Sequence, residues 1–177
     1  MSMRRIVVMS IIGLALAFGV FYAFSWPSTV TATTGGNEVG FPTAAAGELL
    51  HTGAMTFKVG GNRDVQLVTV KLESPTPGLE LVATHVGLRE NLAVHSTTET
   101  GPQAYIDALP KAPGYVLRPG DEGAFVVTFR ALDPGTFAFD GIVVTYQSGW
   151  LTRTVKLGPR VTVKVPGSST TSSPAPA

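Results

Sequence analysis

Apolar and polar residues alternate with a period of two along most of the chain after residue 47, which is typical of β-strands rather than helices. The clearest stretch spans residues 125–165 and holds four apolar-rich runs, at residues 125–130, 137–146, 150–157 and 160–165. Upstream, similar runs occupy residues 55–59, 64–72 and 79–86, with a weaker one at residues 88–95. About seven to nine short strands separated by turns predict an all-β protein, an antiparallel β-sandwich.

Glycine and proline punctuate these runs where tight turns need them. Pro119-Gly120 and Pro134-Gly135 fit turns in which a proline is followed by glycine. Ser148-Gly149 predicts a tight hairpin into Trp150, and Gly158-Pro159 interrupts the last run. Within residues 137–146 the apolar residues occupy odd positions before Asp140-Gly141 and even positions after it. This shift predicts a β-bulge at Gly141, with backbone angles that glycine accepts.

These features resemble the bacterial immunoglobulin-like and fibronectin-like β-sandwich modules over residues 117–165. Leu132-Asp133-Pro134-Gly135-Thr136-Phe137 is similar to the Asp-x-Gly-x-Tyr corner before strand F, and Leu157-Gly158-Pro159-Arg160-Val161-Thr162-Val163 looks like a broken final strand G. The turn at Leu117-x-Pro119-Gly120 is similar to the one before a strand in such modules. The resemblance implies that residues 125–165 form the E, F and G end of an immunoglobulin-like sandwich. Phe137 replaces the corner tyrosine, and the cysteine pair and core tryptophan are absent.

The N-terminal segment predicts an attachment to a membrane. Residues 6–26 carry no charge, follow Arg4 and Arg5, and as a helix would span about 30 Å, the thickness of the hydrocarbon core of a bilayer. The two arginines place the N-terminus in the cytoplasm, and Tyr22 and Trp26 lie where an outer aromatic belt is expected. The alternative is a signal peptide cleaved after Ser25. Both interpretations place the remaining chain outside the cytoplasmic membrane.

Composition divides the rest of the chain into three parts. Residues 27–47 are rich in Thr, Gly, Ala and Pro with a single charged residue, Glu38, and predict a flexible linker. Residues 48–165 form the predicted sandwich domain, in which residues 96–114 contain three prolines and predict a long connection with a short ordered piece at 105–109. Residues 166–177 consist of Pro, Gly, Ser, Thr and Ala alone and predict a disordered tail.

Charge and cysteine content narrow the classes of partner. Acidic and basic residues balance within residues 48–165, at eleven of each, and are interspersed along the chain. Phosphate backbones are bound by clustered Lys and Arg, so a nucleic-acid partner is not expected. The chain has no cysteine, which excludes disulfides, thiolate metal sites and a lipid-modified cysteine.

Few residues suggest chemistry. The histidines are His51, His85 and His95, and none shows a metal-ligand spacing; His85 and His95 remain weak metal candidates if their strands form a hairpin. No Gly-x-Ser-x-Gly elbow, Ser-x-x-Lys, calcium loop or phosphate-binding loop occurs, and Asp121-Glu122 fits a solvated turn. We therefore expect neither catalysis nor a cofactor.

The hairpin at Ser148-Gly149-Trp150 is the candidate binding site. Trp150 and Tyr146, with Tyr115 and Tyr105, are the aromatic residues that an exposed platform for a peptide or sugar would use. The simpler expectation is that Trp150 packs at the end of the sandwich, because large aromatic side chains are mostly buried.

The sequence thus favours a non-catalytic, membrane-anchored extracytoplasmic module of a bacterial cell envelope that recognises a partner protein. One alternative is a carbohydrate-binding module that uses Trp150. A less favoured alternative is an envelope protein that handles a metal through its histidines.

Overall fold

The computed structural model describes residues 27–33, 38–41, 43–89 and 103–167. It contains eleven strands and one short helix among these residues: β1 (Thr29–Ala32), β2 (Val39–Phe41), β3 (Leu50–Gly60), β4 (Val65–Leu72), β5 (Leu79–Leu88), α1 (Gln103–Ala108), β6 (Val116–Leu117), β7 (Glu122–Ala131), β8 (Gly135–Phe139), β9 (Ile142–Ser148), β10 (Leu151–Leu157) and β11 (Val161–Val165). The all-β prediction is confirmed.

Two four-stranded sheets form the sandwich. The first sheet has the order β1-β3-β7-β5 and the second the order β10-β9-β4-β6. The strands β1, β3, β7 and β5 correspond to A, B, E and D of the immunoglobulin fold, and β4, β9 and β10 correspond to C, F and G. The chain is therefore a β-sandwich whose main strands follow the immunoglobulin order.

One apolar core joins the two sheets. Inward-facing residues of β3, β4, β7 and β9 belong to a single buried cluster. Phenylalanine rings contact one another at its centre: the ring centroids of Phe57 and Phe125 lie 4.9 Å apart, and those of Phe129 and Phe139 lie 5.1 Å apart in an edge-on arrangement. Aromatic pairs in such geometry add to the free energy of burial by about 0.5–1.5 kcal/mol each.

A long bent hairpin organises the C-terminal half. Strands β9 and β10 pair in the second sheet, while their continuations β8 and β11 pair in a third sheet of order β2-β11-β8. The bend falls at Gly141 on one arm, with φ +89°, and at Gly158 on the other, with φ +86°. Glycine was expected to supply unusual backbone angles at residue 141. It serves a change of sheet rather than the predicted bulge within one strand.

The predicted flexible linker over residues 27–47 does not hold for two of its segments. Thr29–Ala32 pairs with β3, and Val39–Phe41 pairs in parallel with β11. Composition missed both strands because each is short and gains its hydrogen bonds and apolar contacts from strands distant in the chain. Val30 and Phe41 are buried in the common core, and the ring of Phe41 lies 5.6 Å from that of Phe129.

The predicted anchor or signal over residues 1–26 lies outside the described ranges. This includes Arg4, Arg5, Tyr22, Trp26 and the cleavage position at Ser25, and the tail after residue 167 lies outside them as well. Within the described ranges, no helix has the length and apolar character that a membrane crossing requires. The ordered piece expected at 105–109 corresponds to α1.

The bend at Gly141 leads to a test. A Cβ atom at Gly141 would lie 2.4 Å from the carbonyl oxygen of Leu157 and 2.9 Å from that of Gly158. Because those are backbone atoms and φ is positive, Gly141→Ala is expected to lower the free energy of unfolding by about 2 kcal/mol or more. Urea unfolding measures this.

Gly40→Ala is the matched control. Gly40 lies in β2 without a positive φ, and a Cβ atom added there would meet no atom within 4 Å. We expect this substitution to change the free energy of unfolding by no more than about 0.5 kcal/mol. Equal effects of the two substitutions would contradict the steric account of the bend.

Candidate binding surface

The outer surface of the first sheet is covered. Ile106 and Leu109, in and just after α1, pack on Val126 of β7, and all three side chains are buried. The remainder of this surface carries ion pairs: Glu122 with Lys58 and Arg89, and Glu80 with Arg130. Such pairs between exposed side chains contribute little stability and mark a solvated region.

The second sheet presents its outer surface to solvent, and we call this surface the open face. Pairing registers align its outward positions in rows across the strands. The rows hold mainly threonine, glutamine, valine and lysine: Thr152, Gln147, Gln66 and Val116; Thr154, Thr145 and Thr69, with Val68 at the bulge in β4; and Lys156, Val143 and Lys71. The open face is thus mostly polar, without acidic side chains in these rows.

Apolar exposure concentrates at one end of the open face. Val116 and Val68 are 46% and 44% exposed, and Trp150 is 80% exposed at the tip of the hairpin that follows Gln147. The lysines lie in the row at the opposite end, where Lys156 is 3.6 Å from Glu73. The outward rows therefore run from one without charged residues, beside the turn with Trp150, to one with two lysines.

Trp150 stands on a rigid turn. Ser148 and Leu151 are paired, so Gly149 and Trp150 form a two-residue loop, and Gly149 has φ +61°. A positive φ at the first loop position is the geometry of a type II′ hairpin, which requires glycine there. The expectation that Trp150 packs at the end of the sandwich is wrong, because none of the described strands lies beyond the tip to cover it. A nitrogen of Arg63, from the loop between β3 and β4, lies close to Gly149.

Tyr146 and Ser148 have a different role from the one their sequence position suggested. Tyr146 is 3% exposed and Ser148 2% exposed. The hydroxyl of Ser148 accepts a hydrogen bond from the backbone N–H of Ser28 at 3.0 Å, and the hydroxyl of Tyr146 accepts one from the N–H of Val30 at 3.3 Å. Both side chains hold the start of β1 against β9, so neither presents itself to a ligand.

The predicted aromatic platform is not assembled. Tyr115 packs against the main core, and Tyr105, a residue of α1, packs against the cluster that α1 forms with Val126 of the first sheet. Tyr146 is buried as well, so Trp150 is the aromatic residue of the predicted platform that is exposed to solvent. The exposed apolar residues of the open face that the sequence did not single out are Val68 and Val116. The sequence signal for such residues is an apolar side chain at a position that the alternation along the strand assigns to its outward side. For Val68 the bulge in β4 shifts the alternation and hides this signal.

The histidines do not form a metal site among the described residues. No group of three His, Asp or Glu side chains there is arranged to hold a metal ion, and His95 lies outside the described ranges. His51 and His85 are buried in strands at 6% and 5% exposure. His51 Nδ1 lies 2.9 Å from the hydroxyl of Thr128.

His85 is buried without a complete set of hydrogen bonds. Its Nδ1 has no partner among the described residues. Burial lowers the pKa of His85 from the ordinary value of 6.5, opposed by the carboxylate of Asp107 and assisted by Lys111. The lowered pKa means that the native protein favours the neutral ring.

Comparison with known proteins identifies no family. No family model matches the chain, and no curated protein matches it.

Three solved structures are distant likenesses of this chain. A PapD-like domain of human CEP192 is 16% identical over 78% of this chain and 84% of that one, at a TM-score of 0.37. A cohesin module from Clostridium perfringens is 12% identical over 79% of this chain and 96% of that one, at a TM-score of 0.23. The VesB protease of Vibrio cholerae is 6% identical at a TM-score of 0.36, over 78% of this chain, which spans 32% of the protease. Likenesses this distant carry no argument about function.

Ser148→Ala tests the contact that holds β1. The substitution leaves the buried N–H of Ser28 without its acceptor, so we expect the free energy of unfolding to fall by about 1–3 kcal/mol. Tyr115→Phe, which also deletes one hydroxyl but no described hydrogen bond, is expected to have a small effect. Urea unfolding of both variants is the measurement, and equal losses would contradict the role given to Ser148.

The buried His85 predicts a dependence of stability on pH. Because its pKa is lower in the native protein than in the unfolded chain, its contribution to stability is complete above pH 6.5. It is lost as the pH falls from there through the native pKa, since the unfolded chain binds the proton first. His85→Gln is expected to flatten the fall in unfolding free energy between about pH 7.5 and 5, measured by urea unfolding. An unchanged slope in the variant would show that other groups cause it.

Proposed function

We propose that this protein is a non-catalytic binding module that recognises a partner protein through the open face and Trp150. We also propose that it works outside the bacterial cytoplasmic membrane, held there by its N-terminal apolar segment. The observation that carries the binding role is the 80% exposure of Trp150 on a turn fixed by Gly149.

Exposure of this tryptophan has a physical cost that a partner would remove. A large indole left in water forgoes the free energy of burying its apolar surface, which amounts to about 25 cal/mol for each Å². Tryptophan side chains with few rotatable bonds on a fixed scaffold are common energetic centres of protein interfaces. On the same face Val116 and Val68 are exposed, and Gln66, Gln147 and Thr152 supply polar groups.

The same surface argues against catalysis. A catalytic site brings acid, base or nucleophilic groups together in a cleft that excludes water. The open face is a sheet surface of threonine, glutamine, valine and lysine, and it contains no carboxylate or histidine among its outward positions. Recognition by shape and apolar contact is what this surface can provide.

Trp150→Ala tests the proposed role. The full-length chain is immobilised and incubated with envelope extract from its own organism, and captured proteins are quantified. We expect a protein whose capture falls at least about tenfold with Trp150→Ala, since interface tryptophans often contribute about 2 kcal/mol or more. The affinity of that protein for the wild type and the variant is then measured after purification.

Leu132→Ala is the control, because Leu132 is 49% exposed but lies in the turn between β7 and β8, away from the open face. Capture should survive this substitution. If purified candidates bind the wild type and Trp150→Ala equally, the proposed surface is wrong.

Carbohydrate binding is the second candidate, and the exposed Trp150 favours it because a sugar ring can stack on an indole. Because Tyr146 is buried, a bound sugar would have a single solvent-exposed ring of the predicted platform to stack on, that of Trp150. Trp26→Phe makes Trp150 the single tryptophan of the chain, so its fluorescence reports directly on the tip. Saturable changes in this fluorescence with soluble cell-wall glycans would favour this candidate over a protein partner.

A further inference from the structure

Strand β10 leaves one edge of the second sheet unpaired among the described strands. It hydrogen-bonds with β9, and it lies at the end of the order β10-β9-β4-β6. Ser148 and Leu151 flank a two-residue turn and so form a hydrogen-bonded pair, after which bonded and non-bonded pairs alternate along the ladder. The backbone groups of Thr152, Thr154 and Lys156 therefore point away from β9.

The outward backbone groups of this edge are unpaired among the described strands, although β1 of the first sheet lies near β10. Within the part of the chain that the structure describes, no backbone hydrogen bond from another segment reaches the outward groups of β10. The edge is seven residues long, contains no proline and alternates between exposed and half-buried side chains. Edges of this kind are templates for pairing with a further strand unless charge or a bulge prevents it.

We propose that β10 pairs with β10 of a second copy of this chain, antiparallel about a two-fold axis that passes beside Thr154. Two copies joined this way form one continuous eight-stranded sheet. The inference deepens the proposed function, on which it rests, by naming a second copy as a partner at the edge of the open face.

Charge selects this register over its alternatives. With Thr154 on the axis, all seven residues pair, Arg153 lies opposite Val155 and Lys156 lies opposite Thr152 of the second copy. An axis at Arg153 or at Lys156 would place like charges directly opposite each other, which destabilises a strand pair. An axis at Val155 or at Thr152 pairs fewer residues. Lys156 also has Glu73 nearby at 3.6 Å, which partly offsets its charge at the edge.

The pairing has a consequence for the open face. Outward-facing residues stay on one side of the joined sheet, so the two open faces merge into a single surface. The Trp150 side chains lie four residues from the axis on either side, about 27 Å apart along the strands. A symmetric pair of tips at this spacing gives a partner two points of attachment, which raises the avidity without new contacts.

Thr154→Cys tests the proposal directly, because the chain has no cysteine of its own. Directly opposite residues in a bonded antiparallel pair have Cα atoms about 5.5 Å apart, within the range that a disulfide spans. The full-length variant is oxidised with copper–phenanthroline in its own membrane and run on a gel without reductant. We expect most of the protein to migrate as a covalent dimer.

Thr145→Cys is the matched control. Thr145 shares the open face but lies one strand in from the edge, so two such residues would be about 14 Å apart across three strand spacings and cannot bridge. Equal cross-linking of the two variants would indicate random collision and overturn the proposal, as would a Thr154→Cys protein that stays monomeric.

A charge exchange at the axis supplies an independent readout. Thr154→Glu and Thr154→Lys each place like charges opposite themselves, so neither is expected to associate alone. Co-expressed with different affinity tags, the two should co-purify as a mixed dimer, and failure to do so would contradict an axis at Thr154. Neither experiment involves Trp150, so a negative result removes the second copy as a partner while the proposed role of Trp150 stands on its own test.

Discussion

The close approach of two backbone segments at Gly141 and Gly158 is the constraint on which the C-terminal half of the structure depends. One long hairpin has to leave the sandwich and enter a third sheet, and both arms must turn at the same level. The Cβ position of Gly141 lies against the carbonyl oxygen of Leu157, and that of Gly158 lies against the side chain of Met55. A side chain at Gly141 would force the two arms apart, and one at Gly158 would displace the core residue Met55.

Because the hairpin bends there, its two ends belong to different sheets and make different contacts. The β8 and β11 end packs Phe137, Phe139, Val161 and Val163 into the core and accepts β2 along the edge of β11. The β9 and β10 end continues the second sheet and projects the turn with Trp150 beyond it.

The two outer surfaces of the sandwich differ for a reason that lies outside the strands. The first sheet is covered by α1 and the residues that follow it, and this cover buries Val126 and the histidine His85 on an outward position. No comparable segment covers the second sheet among the described residues. Its threonines, glutamines and lysines remain in water, and the exposed apolar groups collect at the Trp150 end. This asymmetry directs the binding proposal to one surface.

The sequence by itself determined the all-β class, the turns and the need for glycine at residue 141, because alternation with a period of two and the backbone freedom of glycine are local properties. It did not determine which strands pair, so β1 and β2 looked like linker although they gain their partners from β3 and β11. Burial was decided only by the tertiary structure. Tyr146 and Ser148 point inward to hold β1, whereas Trp150, two residues beyond Ser148, has no neighbouring strand of the described chain beyond the tip and stays in solvent. A side chain's exposure depends on what the rest of the chain brings beside it, and that information is not local.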